Sequence, residues 1–121
     1  MKAYTDVEQS MKLDKILPKD SYDMYLSRTD DGRTYMPHFG KSIVIDRNMF
    51  SYKSGYLIPC WSLAALMSLL KEHCLYAPND GHTKYCCQNM DTLLETFSDN
   101  AVDCCVEMII KNYEQNKDIT I

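Results

Sequence analysis

Apolar residues recur along this chain with two different periods, and each change of period marks an element. From Val7 to Leu17 the spacing is helical: Leu13, Ile16 and Leu17 fall on one side, with Val7 and Met11 on a neighbouring stripe. Thr5-Asp6-Val7-Glu8 reads as a capping box, in which the Thr5 hydroxyl accepts from the Glu8 amide and the Glu8 carboxylate reaches back. Pro18 closes the element, because a residue before proline is pushed out of the α region. The pattern predicts a helix over about residues 6–16.

The following stretch reads as strands. Asp23-Met24-Tyr25-Leu26 and Arg33-Thr34-Tyr35-Met36 flank Asp30-Asp31-Gly32, a hairpin-turn signal. Lys41 to Ile45 carries the β-branched run of a third strand, set off by Pro37 and Gly40. Asp46 to Tyr56 follows neither period and is expected to be a loop.

Helical spacing returns at Leu63, Leu66, Met67 and Leu70. Trp61, Ala64, Ala65 and Leu69 widen it, which predicts a helix buried on more than one side. Pro59 suits its first turn, Ser62 is a competing N-cap, and Glu72 or His73 is the expected end. Ala77-Pro78-Asn79-Asp80-Gly81 is a loop. Thr83 to Gln88 and Thr92 to Phe97 then form a second hairpin around Asn89-Met90-Asp91. A helical alternative for Met90 to Phe97 stands beside it, since Leu93, Leu94 and Phe97 fit that period as well. The last helix has Asn100 as N-cap and Asp103 in its first turn, where the dipole favours a negative charge. Val102, Cys105, Val106, Ile109 and Tyr113 line one face; Glu107, Lys111 and Glu114 point away. Residues from about 117 to 121 are expected to fray. The order is α-β-β-β-α-β-β-α, an α+β fold in which a small antiparallel sheet with two hairpin regions packs with about three helices.

Composition narrows the class. A chain of 121 residues is long enough for one domain, expected to span 1–121, with a core that needs no staples. Hydrophobic residues at 45% and charged residues at 25% are ordinary for a globular chain and argue against disorder. The net charge is -4, and the tightest basic group, Lys12, Lys15 and Lys19, is interrupted by Asp14 and Asp20. Nucleic-acid binding along a phosphate backbone is therefore disfavoured. The first residues carry no apolar signal core, and the longest apolar stretch, Leu57 to Leu70, is broken by Pro59, Ser62 and Ser68. No membrane contact and a cytoplasmic location are expected. In a reducing compartment the six cysteines read as free thiols that pack as small apolar groups.

Three segments together carry a resemblance: Thr5-Asp6-Val7-Glu8-Gln9-Ser10, Ile58-Pro59-Cys60-Trp61-Ser62-Leu63, and the run from Asp99 to Ile109. With Asp23-Met24-Tyr25 they cover about half of the chain. The sequence resembles a family of small uncharacterised proteins of gut Bacteroidetes genomes, often found in phage-like or mobile-element surroundings. Ala101 stands where that pattern commonly has proline, and Cys104 where it has alanine; both are first-turn helix positions. The resemblance implies a bacterial or phage cytoplasmic setting and brings no activity with it.

Candidate chemistry is sparse. Structural zinc needs cysteine and histidine knuckles at short spacing, and His73-Cys74 and His82 with Cys86 are the nearest approach, so no metal or other cofactor is expected. Cys60, placed at or just before a helix start, could have its thiolate stabilised by the dipole, with His38, His73 or His82 as partner base. The four glycines are too dispersed for a phosphate loop. The aromatic side chains are the remaining signal, clustered from Tyr22 to Tyr56. Tyrosine and tryptophan combine large area with a polar tip and are enriched at interfaces. Tyr25, Tyr35, His38 and Trp61 are the binding-surface candidates. The expected function is a non-enzymatic accessory or interaction module that meets an unknown protein partner or a second copy of itself. A small ligand binder or cysteine-dependent enzyme built on Cys60 is the first alternative, and a nucleic-acid-binding regulator the second.

Overall fold

The computed structural model describes residues 2–40, 44–78, 81 and 84–119. Contacts group them into an N-terminal unit, Tyr4–Ala65, and a C-terminal unit made of residues 66–119 with residues 2–3. In the N-terminal unit α1 (Val7–Ile16) is capped by Asp6, not Thr5. The Asp6 carboxylate accepts from the Gln9 amide at 2.8 Å, and Gln9 Oε1 accepts from the Asp6 amide at 3.1 Å. Thr5 is withdrawn from capping because it is fully buried: its hydroxyl accepts from the Trp61 amide at 3.1 Å and meets the Ser10 hydroxyl at 2.7 Å. The helix ends at Leu17, extended before Pro18, as the proline rule predicts.

β1 (Met24–Arg28) and β2 (Tyr35–Phe39) form the first hairpin, with Leu26 opposite Pro37. Asp31 organises its turn, accepting from Thr29 Oγ1 at 2.6 Å and from the Arg33 and Thr34 amides. These bonds hold the Asp31 carboxyl down at about 2. The third strand is β3 (Leu57–Cys60), antiparallel to β1 on its other side, giving the order β2-β1-β3. Two expectations change here. Residues 41–43 lie outside the described residues, and Val44 and Ile45 are not in a strand. Pro59 belongs to β3 instead of a helix start. Both outer strands carry a proline, Pro37 and Pro59, and the central strand has none. A residue with no N–H is tolerated at a sheet edge and not at its centre.

One face of this sheet forms a core of Met24, Leu26, Ile58 and Cys60, against which Tyr4, Val7 and Tyr35 pack. α1 lies on β3. The stretch expected to be a loop contains a short helix, α2 (Phe50–Lys53). The chain turns into it through Asp46, whose side chain accepts from the Asn48 amide at 2.9 Å and whose carbonyl accepts from Met49 at 3.0 Å.

Ser62 caps α3 (Leu63–Leu69), accepting from the Ala65 amide at 3.2 Å. Asp23 holds Ser62 in place through its amide at 2.9 Å and through its hydroxyl. The helix stops well short of Glu72, because Leu70 and His73 bond back to Met67 and Leu70 and lead the chain into a strand. Ala64, Met67 and Ser68 are exposed, so α3 is buried along one stripe and not on several sides.

The C-terminal unit has its own antiparallel sheet, β4 (His73–Tyr76), β5 (Tyr85–Asn89) and β6 (Glu95–Ser98), in the order β4-β5-β6. Asn79, Asp80, His82 and Thr83 lie outside the described residues. β5 and β6 are the second hairpin, with Cys87 opposite Thr96, which decides for strand over helix in that segment. In the turn between them Asn89 Oδ1 accepts from the Asp91 and Thr92 amides, and Leu93 is left-handed at φ 62°. α4 (Ala101–Ile119) is capped by Asn100 as expected, with Oδ1 accepting from the Asp103 amide at 2.8 Å. It packs on β5 and β6 and buries Val102, Cys104, Cys105, Val106, Met108 and Ile109, while Tyr113 is 43% exposed. α4 continues into the stretch expected to fray, and residues 120–121 lie outside the described ones. The protein is therefore a small α+β fold with antiparallel sheets, and its element order is the expected one with α2 and β4 added.

Candidate functional site

In the N-terminal unit α1, α2 and β3 border a cleft of about 260 Å³. Met11, Leu57, Ile58 and Pro59 make it apolar, Tyr35 and Tyr52 add aromatic surface, and Asp14, Lys15 and Lys53 supply the charge. Each wall is tied down. The Tyr35 hydroxyl donates to the Gly55 carbonyl at 2.8 Å, fastening β2 to the turn after α2. That turn needs φ +76° at position 55, a conformation glycine adopts without strain.

Asp14, whose side chain is only 8% exposed, accepts from Arg47 Nη2 at 2.8 Å and from the Tyr52 hydroxyl. The Arg47 guanidinium sits 5.7 Å from the Tyr52 ring centroid and 5.9 Å from that of Tyr22, within cation–π range. It also donates to the Lys19 carbonyl at 3.2 Å, and the Tyr22 hydroxyl accepts from the Ile45 amide at 3.1 Å. One cluster thus joins α1, the chain around Ile45–Arg47 and α2. The bond to Asp14, helped by partial burial, pushes the Tyr52 phenol above its ordinary 10.0. Asp14 is paired with Arg47 and Tyr52 within the cluster. Lys15 and Lys53 are exposed and have no ion-pair partner among the described residues. The cleft's uncommitted charge is positive.

Of the binding-surface candidates read from the sequence, Tyr35 alone lines this cleft. Tyr25 and His38 come together across the hairpin because they are register partners: their rings stack at 4.5 Å with planes 8° apart. His38 Nε2 bonds the Ser27 hydroxyl at 2.7 Å. Tyr25 and Trp61 are interior residues and not surface ones, 6% and 0% exposed. Trp61 meets Tyr22 edge-on at 6.5 Å and donates from Nε1 to the Ser21 hydroxyl at 3.1 Å, so its polar tip is already satisfied. Asp14, Lys15, Arg47, Tyr52 and Lys53 were not singled out by pattern. The turn chemistry of Asp46-Arg47-Asn48, just ahead of Phe50-Ser51-Tyr52-Lys53, is the signal that could have found α2 and its side chains.

Cys60 does not have the setting of an activated thiol. It ends a strand, is fully buried, and donates to the Thr5 carbonyl at 3.4 Å with the Thr5 hydroxyl 3.5 Å away. Burial pushes its thiol up. Its partner is Thr5, whereas His38 is engaged with Ser27 and His73 with Asn112 at 2.9 Å. In the C-terminal unit Cys86, Cys87, Cys104 and Cys105 are buried, Cys74 is exposed, and all are free thiols. Cys87 and Cys105 act on each other, which pushes the Cys87 thiol up and the Cys105 thiol down. Burial pulls His73 below its ordinary 6.5, and its Nδ1 has no partner among the described residues. Among the described residues no group of three or more metal-binding side chains is assembled, and no helix is long and apolar enough to cross a membrane.

No protein-family model matches this sequence, no curated protein matches it, and no solved structure matches the fold.

Proposed function

We propose that this chain is a non-enzymatic interaction module, cytoplasmic in setting, that meets a protein partner through its N-terminal unit. One observation carries the reading: large apolar side chains left in solvent recur from the end of β2 to the turn after α2. Phe50 is 84% exposed, Val44 76% and Phe39 75%, with Met49 and Tyr56 close to half exposed. Single exposed hydrophobes are ordinary on a protein surface, whereas large ones that form a contiguous patch mark a contact surface. Aromatic residues and methionine are also the types enriched at interfaces. The resemblance carried by the Ile58–Leu63 and Asp99–Ile109 segments adds a bacterial or mobile-element setting.

The test compares the native chain with Phe39→Ser/Phe50→Ser, two exposed positions whose change spares the core. Affinity capture under reducing conditions and sedimentation equilibrium are run on both. A stoichiometric partner, or a dimer, that the native chain holds and the double variant loses is the expected result. A monomer that captures the same proteins whether or not the two phenylalanines are present would sink the reading.

A further inference from the structure

We infer that the cleft between α1, α2 and β3 receives an apolar side chain from an acidic segment of the partner protein; the inference rests on the interaction-module reading. The cleft's size argues for a side chain. At about 260 Å³ it falls below the roughly 300–1,000 Å³ typical of pockets that enclose drug-sized molecules. Its lining argues for an apolar group, since Met11, Leu57, Ile58 and Pro59 meet it beside Tyr35 and Tyr52.

Charge selects the flanks of that segment. Asp14 is the one acidic residue lining the cleft, and Arg47 and Tyr52 already engage both of its oxygens. Lys15 and Lys53 remain without an ion-pair partner among the described residues. Carboxylates on either side of the anchor side chain would answer both lysines, while a basic segment would be repelled. This local positive charge stands out on a chain of net charge -4.

Continuity argues for a chain segment over a free carboxylic acid. The apolar surface does not stop at the cleft: Phe50, on the same short helix as Tyr52 and Lys53, is 84% exposed. An anchor residue in the cleft with its neighbours lying across such a surface is how extended or helical segments are read.

The experiment uses the full chain and two fluorescein-labelled ten-residue peptides, each with one central tryptophan, flanked by glutamates in one and by lysines in the other. Anisotropy at low salt should show the glutamate peptide binding at least tenfold more tightly. Lys15→Glu/Lys53→Glu should reverse that preference, a change that mere misfolding cannot produce. If that variant does not fold, Lys15→Gln/Lys53→Gln should abolish the preference. Equal binding of both peptides, binding of neither, or an unchanged preference in the variants would overturn the inference. So would displacement of the peptide by phenylacetate at matching affinity. Capture that still depends on Phe39 and Phe50 would in any of these cases leave the module reading standing, and loss of that dependence would remove it separately.

Discussion

In the N-terminal unit the links between segments are polar and join residues far apart in the chain. Asp14 reaches Arg47, Asp23 reaches Ser62, Thr5 reaches Trp61 and Tyr35 reaches Gly55. The C-terminal unit has longer-range links too, such as Lys2 to Asp103 at 2.6 Å, but its centre is built from small apolar and sulfur side chains. Cys86, Cys87, Cys104, Cys105, Val102 and Met108 are each at most 1% exposed. Its fully buried polar pairing among the described residues is local: Thr96 Oγ1 donates to the Cys104 carbonyl at 2.8 Å, and the Cys104 thiol donates back to the Thr96 carbonyl at 3.3 Å. Both units thereby complete a three-stranded antiparallel sheet. A sulfur and aliphatic core spreads its stabilisation over many weak contacts. Directional polar links concentrate it in a few pairs, and those pairs hold surface segments that have little core of their own.

The largest expected effect breaks the contrast at Arg47. Arg47→Ala leaves the nearly buried Asp14 carboxylate without its counter-charge, held by the Tyr52 hydroxyl alone, and should cost about 3 kcal/mol. Asp14→Leu/Arg47→Met should recover most of that loss, because the desolvation of both charges disappears with them. Urea unfolding followed by the fluorescence of Trp61, the only tryptophan, reads this in the unit concerned. A loss below about 0.5 kcal/mol would mean that the pair behaves as an ordinary surface salt bridge.

A smaller effect of opposite sign is expected in the C-terminal unit. Leu93 is 64% exposed and left-handed, so its side chain contributes little packing while its backbone carries strain. Leu93→Gly should stabilise by about 1 kcal/mol, seen as a raised urea midpoint with an unchanged slope. Destabilisation would show that the Leu93 side chain packs usefully in the turn.

The smallest effect is a pH dependence. His73 has its pKa lowered by burial, so the unfolded chain binds this proton more readily than the folded one. The stability contributed by neutral His73 is fully present above 6.5 and is lost as pH falls from there through the lowered value. Melting temperatures between pH 7.5 and 5 should fall further for the native chain than for His73→Gln. Parallel curves would assign the acid sensitivity to other groups.

Local chemistry explains which elements were legible in the sequence. The hairpin around Gly32, the helix closed by Pro18 and the cap at Asn100 each depend on one residue type whose backbone preference dominates. The first cap was misplaced by one residue because Thr5 and Asp6 are both good caps, and only the burial of Thr5 against Trp61 decides between them. Pro59 misled for a similar reason, since proline suits a helix start and a sheet edge alike. β4 and α2 are four residues each, too short to show a period. The candidate site was legible only through Tyr35, because Asp14, Arg47 and Tyr52 meet from segments separated by more than thirty residues or by irregular chain.

The two prolines at the sheet margins have a consequence for association. An unpaired strand edge is an invitation to another chain, and runs of identical strands added there lead to fibrils. Pro37 and Pro59 each remove a donor from the outer strands of the N-terminal sheet. Neither margin can therefore offer an unbroken ladder to a neighbouring copy, and a surface rich in exposed phenylalanine and methionine can be displayed with the risk of strand-by-strand growth reduced.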